Sequence, residues 1–253
     1  MKEGIHIALA PHILFEVAGF PITSSMVAAW VTIIVLVAAA FFIGRNMKLV
    51  PGKVQAAVEG VFGFFLAYME EVLEDKVLAR RYFPLVMTIF LYILCTNLFG
   101  LLPIIGSVGI TKMVHGVPEF IPYVYPSNTD LNMTLALAVV AFIVIEFAGI
   151  AALGFFKYFS KFVNFKSPIG FVVGLIELVS EVARLVTFSF RLFGNIFAGK
   201  VLILVALFFL PYLLPVPLMA YEVFVAFIQA AVFALLTLFF IKIAVTDHAE
   251  DHH

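Results

Sequence analysis

Residues 168–209 read PIGFVVGLIELVSEVARLVTFSFRLFGNIFAGKVLILVALFF, which is apolar apart from five charged side chains. At about 1.5 Å per residue, a helix of this length would be ~63 Å long, about twice the hydrocarbon core of a bilayer. Such a helix must tilt strongly or bend. Pro211, Pro215 and Pro217 end it, and residues 218–245 form another long apolar helix. The sequence therefore predicts a hairpin of two long, strongly tilted helices.

The composition of the whole chain places this hairpin in a membrane protein. Of its 253 residues, 64% are hydrophobic and 12% are charged, about half the charged share of a soluble domain. This balance excludes a soluble globular domain, a disordered tail and a basic nucleic-acid binder. Cys95 is the sole cysteine, so the sequence offers no disulfide framework and no Cys-based metal site. We predict an all-α polytopic membrane protein without a cofactor.

Three further spans and one surface helix precede the hairpin in this prediction. The charge-free run 26–44 is long enough to cross the membrane, and 82–103 and 131–156 are the next two spans. Residues 53–81 combine many charges with apolar residues at three- and four-residue spacing, which is typical of an amphipathic helix at the interface. We therefore predict about five transmembrane helices plus one amphipathic interfacial helix, with residues 1–253 forming a single membrane domain.

The basic residues predict how the chain is oriented, because Lys and Arg concentrate in cytoplasmic loops. The segment 1–25 and the polar, Pro-rich loop 112–130 then lie outside, and the tail 246–253 lies in the cytoplasm. Segment 1–25 lacks the pattern of a cleaved signal peptide. The clusters that set this orientation follow span one, precede span two and follow span three: Arg45, Lys48 and Lys53; Lys76, Arg80 and Arg81; Lys157, Lys161 and Lys166.

Charged residues within the apolar helices are the candidate functional residues. A charge at the centre of a span costs roughly 2.5–3.5 kcal/mol and usually faces the protein interior or a water-filled cavity. Snorkelling or a structural ion pair explains Glu177, Glu181 and Arg184 as well as a functional role does. The full set is Glu146, Glu177, Glu181, Arg184, Arg191, Lys200 and Glu222.

Arg191 lies too deep in its helix to snorkel easily. An arginine stays protonated where a buried lysine would lose its proton. A fixed cation at mid-membrane would repel cations and hold an approaching carboxylate ionised, which makes it a gate against direct leakage. At 100° per residue, five polar residues fall within about 80° of one another and predict a polar stripe: Glu177, Glu181, Arg184, Arg191 and Asn195.

Two polar residues of the final helix share a face, since Glu222 and Gln229 are seven residues apart. The turn before this helix is short, so the two long helices are expected to be antiparallel neighbours. Glu222 could then approach Lys200 near the outer end of both helices. A structural Lys–Glu ion pair and a pair of channel residues both remain open at this point.

Residues 189–199 read SFRLFGNIFAG, which resembles the RLFGN-x-x-AG signature of subunit a of F-type ATP synthases. Further resemblances follow in order, and together they cover about residues 10–247. They are Pro51-Gly52 with Gln55 and Glu59; Asn97 with Leu101-Leu102-Pro103; Pro126-Ser127 with Asp130, Asn132 and Thr134; and Gln229 in the last helix.

The resemblance implies a non-catalytic stator subunit of a bacterial inner-membrane F0 motor. Such a subunit presses its long tilted helices against a rotating ring of c subunits, beside the peripheral stalk b subunits. Arg191 would be the essential arginine that faces each rotor carboxylate, fed by two offset half-channels. The resemblance also implies positions near the arginine (Asn195, Gln229), in the outer half-channel (Lys200, Glu222) and in the cytoplasmic half-channel (Glu177, Ser180, Arg184, Thr187).

This sequence departs from the family pattern at Lys200, where many relatives carry Glu or His. The Lys–Glu combination with Glu222 argues against a proton relay through residue 200. Glu146 matches no position of the family pattern, and a structural acid and an extra channel residue are equally open for it. The choice between H⁺ and Na⁺ depends mostly on the rotor carboxylate, which belongs to another chain.

Two other classes of function fit the sequence less well. An intramembrane enzyme would need a base or metal ligand within the membrane, but every histidine falls in a predicted loop or terminus: His6, His12, His115, His248, His252 and His253. An independent channel or secondary transporter would usually show an internal repeat, and none stands out.

Overall fold

The computed structural model describes residues 13–102, 105–114, 117–162, 168–211 and 213–246. Within these ranges, five helices are long and apolar enough to cross a membrane, and the predicted fold class is confirmed. The helices are α1 (Ser24–Arg45), α2 (Lys53–Leu73), α3 (Lys76–Gly100), α4 (Leu131–Leu153), α5 (Phe155–Phe162), α6 (Pro168–Phe209) and α7 (Pro215–Thr246), and all but α2 and α5 are candidate spans. Residues 247–253 of the predicted tail and the six histidines lie outside the described residues: His6, His12, His115, His248, His252 and His253.

The surface helix expected over 53–81 is two helices in the structure. Helix α2 ends because Glu74 takes a left-handed conformation, with a φ of 57°. Asp75 then caps α3, accepting hydrogen bonds from the N–H groups of Val77 (2.7 Å) and Leu78 (3.1 Å). The charged residues 76–81 therefore belong to the first turns of the second candidate span, whose start the sequence had placed at residue 82.

Two antiparallel β-hairpins lie where the sequence predicted irregular segments. Strands β1 (Ile13–Val17) and β2 (Phe20–Thr23) precede α1, and β3 (Gly109–Val114) pairs with β4 (Val117–Pro122) after α3. A Cβ at Gly109 would lie 2.7 Å from the Pro122 Cα, so the strands can pair this closely only with glycine there.

A buried polar network ties the segment between β4 and α4 to the start of α1. Ser25 donates a hydrogen bond to the Asp130 carboxylate (2.6 Å), and Ser127 donates to the Ser25 carbonyl (2.8 Å). The Tyr125 N–H donates to the Ser24 carbonyl at 3.3 Å. Because buried polar groups are costly unless paired, this network fixes the chain around Tyr125 and Pro126.

Helix α7 lies at the centre of the bundle and packs against α3, α4 and α6. Small residues line these contacts and let the helix backbones approach closely. Helices α1 and α6 are the least enclosed of the candidate spans. In the most apolar stretch of each, 17% of the residues are buried, against 39% for α7. The small buried residues are Ala138, Ala141 and Ala148 on α4 and Ala226, Ala230 and Ala234 on α7.

Candidate functional site

The residues of the polar stripe predicted on α6 lie partly on the buried side and partly on the exposed side of the helix. Glu181 is turned inward and is only 5% exposed, whereas Arg191 and Asn195 lie on the exposed side of the same helix. An 80° arc is wide enough to include both the edge of the packed face and the open face. The expectation of one continuous stripe therefore needs correction, since its members divide into a buried group and an exposed group.

Arg191 lies on an open face of α6 formed by small side chains, which we call the Arg191 face: Ala183, Thr187, Arg191, Gly194, Asn195 and Ala198, all exposed. The Thr187 hydroxyl donates to the Ala183 carbonyl of its own helix at 2.7 Å, so its donor needs no acceptor on another helix. Within the described part of the chain, no ion pair or hydrogen bond engages the Arg191 guanidinium. An uncommitted cation on a surface of small residues is suited to a close-fitting partner that carries a negative charge.

Glu181 and Arg184 form an ion pair on the packed side of α6, with N and O atoms 2.7 Å apart. Both side chains are largely buried, at 6% and 15% exposed respectively, and the guanidinium also lies 3.8 Å from the centre of the Phe240 ring. Glu177 is half-buried one turn earlier, and Ser180 is exposed with its hydroxyl bonded to the Ile176 carbonyl.

Glu146 is held by a residue that the sequence did not single out. The Tyr158 hydroxyl of α5 donates to one carboxylate oxygen of Glu146 at 2.9 Å. Tyr158 is only 3% exposed, and a Cβ at Gly149 would overlap its ring. Burial, reinforced by the Glu146 carboxylate, raises the pKa of the Tyr158 phenol well above its ordinary value. The contact docks α5 against α4, which favours the structural alternative for Glu146.

A second polar site is a cavity of about 290 Å³ between α3, α6, α7 and the chain before α4, which we call the Lys200 cavity. Its wall is mostly apolar, with four polar residues: Asn97, Thr129, Lys200 and Glu222. Asn128 supports Asn97 from behind, donating to its amide oxygen at 2.6 Å. The structure thus brings together two charged residues predicted for one site and adds Asn97, which the sequence resemblance also singled out.

Glu222 and Lys200 share this cavity without forming an ion pair within 4.0 Å, the pairing that the sequence had left open. Glu222 is 5% exposed and packs against Gly199, where a Cβ would overlap its carboxylate. The Lys200 ammonium instead lies 3.2 Å from the centre of the Tyr125 ring. Tyr125 immediately precedes the Pro126-Ser127 pair, the only sequence signal that could have drawn attention to it.

Gln229 is half-buried on α7, and no hydrogen bond joins it to Arg191 or Asn195 in the described part of the chain. The contact that does link signature residues of α4 and α6 is between the Thr134 and Ser189 hydroxyls, 3.2 Å apart. The predicted site residues thus form three groups: an exposed face around Arg191, a buried pair at Glu181–Arg184, and a cavity lined by Lys200 and Glu222.

Comparison with known proteins places this arrangement in a family. The profile of the family described as ATP synthase A chain matches residues 26–242. The chain is 33% identical to ATP synthase subunit a of Moorella thermoacetica, over 93% of this chain and 96% of that one. It is 35% identical to ATP synthase subunit a of Campylobacter concisus (88% and 89% covered) and 34% identical to that of Gloeobacter violaceus (90% and 86%).

The matched region contains the Arg191 face, the Glu181–Arg184 pair and the Lys200 cavity, so the resemblance carried by residues 189–199 extends over the whole membrane bundle. The chain therefore belongs to the ATP synthase A chain family.

Proposed function

We propose that this chain is the stator subunit that carries protons between the two sides of the membrane and a rotating ring of c subunits. Arg191 faces each rotor carboxylate in turn. The observation that carries this proposal is the Arg191 face, where an exposed guanidinium without a partner in the described part of its own chain lies among small residues. The subunit makes and breaks no bonds of its own and couples ion flow to ATP synthesis or hydrolysis in the rest of the complex.

The mechanism is electrostatic. A protonated rotor carboxyl that leaves the lipid and meets Arg191 is converted to the carboxylate, because the guanidinium stays charged and stabilises the ionised form. The released proton leaves through one half-channel, and the carboxylate is reprotonated from the other. The same fixed positive charge opposes the direct passage of a proton between the two half-channels. Asn195 and Gln229 supply polar groups beside the arginine.

The Lys200 cavity is the outer half-channel in this proposal. Its four polar residues are gathered in an otherwise apolar wall between α3, α6 and α7. The cytoplasmic half-channel runs along the opposite half of α6, past Glu177, Ser180, Arg184 and Thr187. This orientation puts the N-terminus outside and the C-terminus in the cytoplasm of a bacterial cell, with the basic ends of the helices on the inner side. The peripheral stalk b subunits and the lipid bilayer are the remaining partners.

Cross-linking tests the proposed ring contact. Cys95 is the native cysteine, so a Cys95→Ala chain offers a clean background. We expect Asn195→Cys, on the Arg191 face, to form a disulfide with a cysteine placed one turn from the rotor carboxylate. Val37→Cys is the matched control, because Val37 is also exposed on an apolar helix but lies on α1. Equal cross-linking at both positions, or none at position 195, would contradict the proposal.

Gly199→Ala tests the outer half-channel. The added Cβ overlaps the Glu222 carboxylate, so either that carboxylate or helix α7 must move. Overpacking of this kind typically costs about 1–3 kcal/mol of stability, and the displaced carboxylate should lower ATP-driven proton uptake into inverted vesicles several-fold at equal assembly.

Gly63→Ala is the control for this substitution. A Cβ at Gly63 meets nothing within 4 Å, and the residue lies on α2, away from the cavity. Proton uptake should stay within about twofold of the unmodified rate, since an exposed helical Gly→Ala change is mild. Undiminished uptake by Gly199→Ala would show that the Glu222 position does not limit flow.

A further inference from the structure

Two oppositely charged residues of the Lys200 cavity stay apart although both are poorly solvated. Lys200 and Glu222 line the same cavity, and no ion pair within 4.0 Å joins them in the described part of the chain. In a setting of low polarity, opposite charges attract strongly and would be expected to meet. The positive charge of Lys200 must then be stabilised by another contact, because a buried lysine without one would lose its proton.

The Tyr125 ring is the group that holds the ammonium. The Lys200 Nζ lies 3.2 Å from the ring centre, which is a close cation–π contact. Such a contact is strongest where water is excluded, and Tyr125 and Lys200 are both partly buried. The ring therefore offers the ammonium a favourable position that does not neutralise a carboxylate.

Tyr125 is itself fixed by its neighbours. Its N–H donates to the Ser24 carbonyl at 3.3 Å, and the carbonyl of the next residue, Pro126, accepts a hydrogen bond from the Thr129 N–H at 3.2 Å. The Thr129 hydroxyl donates in turn to the Pro126 carbonyl at 2.6 Å. The backbone at Tyr125 is thus anchored to α1 and to the turn before α4.

Glu222 reaches the cavity from α7. Its carboxylate packs against the bare Gly199 backbone, one residue before Lys200. If the ammonium left the ring and paired with this carboxylate, the attraction would hold Glu222 in its ionised form and oppose protonation. An ion pair at this point would therefore obstruct a pathway that needs the carboxylate to take up and release protons.

We propose that Tyr125 is a positioning residue for Lys200. By holding the ammonium against its ring, it keeps Lys200 from pairing with Glu222 and leaves that carboxylate able to exchange protons with the cavity. This inference rests on the proposed function, since it assigns a role within the outer half-channel. It also explains how a lysine is tolerated at position 200 opposite an acid.

The first experiment compares two substitutions in the complete complex. Tyr125→Phe keeps the ring and loses the hydroxyl, so ATP-driven proton uptake should stay within about twofold of the unmodified rate. Tyr125→Leu loses the ring, and uptake should fall by roughly tenfold. Co-purification with the ring of c subunits checks that both variants assemble. If proton uptake fell equally in the two variants, the hydroxyl rather than the ring would be the group that matters, and the proposal would be wrong.

A double-mutant cycle separates positioning from packing. In a Lys200→Met background there is no ammonium to hold, so adding Tyr125→Leu should change uptake by less than about twofold. If Tyr125→Leu lowers uptake equally in both backgrounds, the ring serves only to pack the cavity and the proposal is wrong.

A spectroscopic readout tests the contact without relying on transport. Trp30 is the sole tryptophan, so Trp30→Phe with Tyr125→Trp gives a chain with one indole at the position of interest. An ammonium over this indole should shift its emission maximum, and Lys200→Met should abolish the shift. An identical spectrum with and without Lys200 would refute the contact. This result stands whether or not Arg191 proves essential, so failure here and failure of the proposed function are distinguishable.

Discussion

Replacing Arg191 by alanine is expected to abolish coupled ATP synthesis and ATP-driven proton transport while leaving assembly largely intact. The side chain is exposed, and no ion pair or hydrogen bond in the described part of its own chain depends on it, so its loss should cost little stability. Its positive charge is what would ionise each rotor carboxylate and oppose leakage. Without it, nothing would stabilise the ionised form of a rotor carboxyl at this point, and the two proposed half-channels would no longer be electrically separated.

The measurement is proton uptake and ATP synthesis in vesicles that contain the assembled complex. Arg45→Ala is the matched control, because Arg45 is also exposed but ends α1, away from the Arg191 face. The control should keep nearly full activity. Arg191→Lys should not restore transport, since a lysine can lose its proton in an apolar setting and lacks the planar guanidinium. Full proton-driven synthesis by the alanine variant would remove Arg191 from its proposed role.

The long helices could be predicted from the sequence because their signal is local. The stretch 168–209 is apolar and free of proline after its first residue, so nothing in it favours a break. The break between α2 and α3 has no such signal. It depends on Glu74 in a left-handed conformation and on Asp75 as a cap, whereas the charged residues on either side suit one continuous helix equally well.

Side-chain partners were harder to predict because they depend on residues distant in the sequence. The spacing of Lys200 and Glu222 on antiparallel helices correctly brings both to one cavity. The outcome at Lys200 is decided by Tyr125, which precedes α4 and α5 in the sequence and whose N–H donates to the Ser24 carbonyl. Likewise, a helical wheel groups Glu181 with Arg191, but only the packing of α4 and α7 shows which of them is enclosed.

Arg184→Ala is expected to destabilise the subunit strongly, in contrast to Arg191→Ala on the open face of the same helix. The change leaves the Glu181 carboxylate, which is 5% exposed, without the guanidinium 2.7 Å away. Removing one member of a buried ion pair typically costs about 3–5 kcal/mol, because the remaining charge stays desolvated. The contact between the guanidinium and the Phe240 ring is lost as well. We expect the complex in mild detergent to dissociate at a markedly lower temperature, and less subunit to assemble in the membrane.

Two further variants locate the cause of that loss. Arg80→Ala removes an arginine whose partner Glu70 lies 3.9 Å away and whose side chain is 72% exposed, so it should cost under about 1 kcal/mol. Glu181→Gln combined with Arg184→Ala also removes the negative charge of Glu181 and should recover much of the lost stability. If the double variant were as unstable as Arg184→Ala, the arginine would be acting through its contact with Phe240 on α7, and the ion pair, which lies within α6, would contribute little to stability.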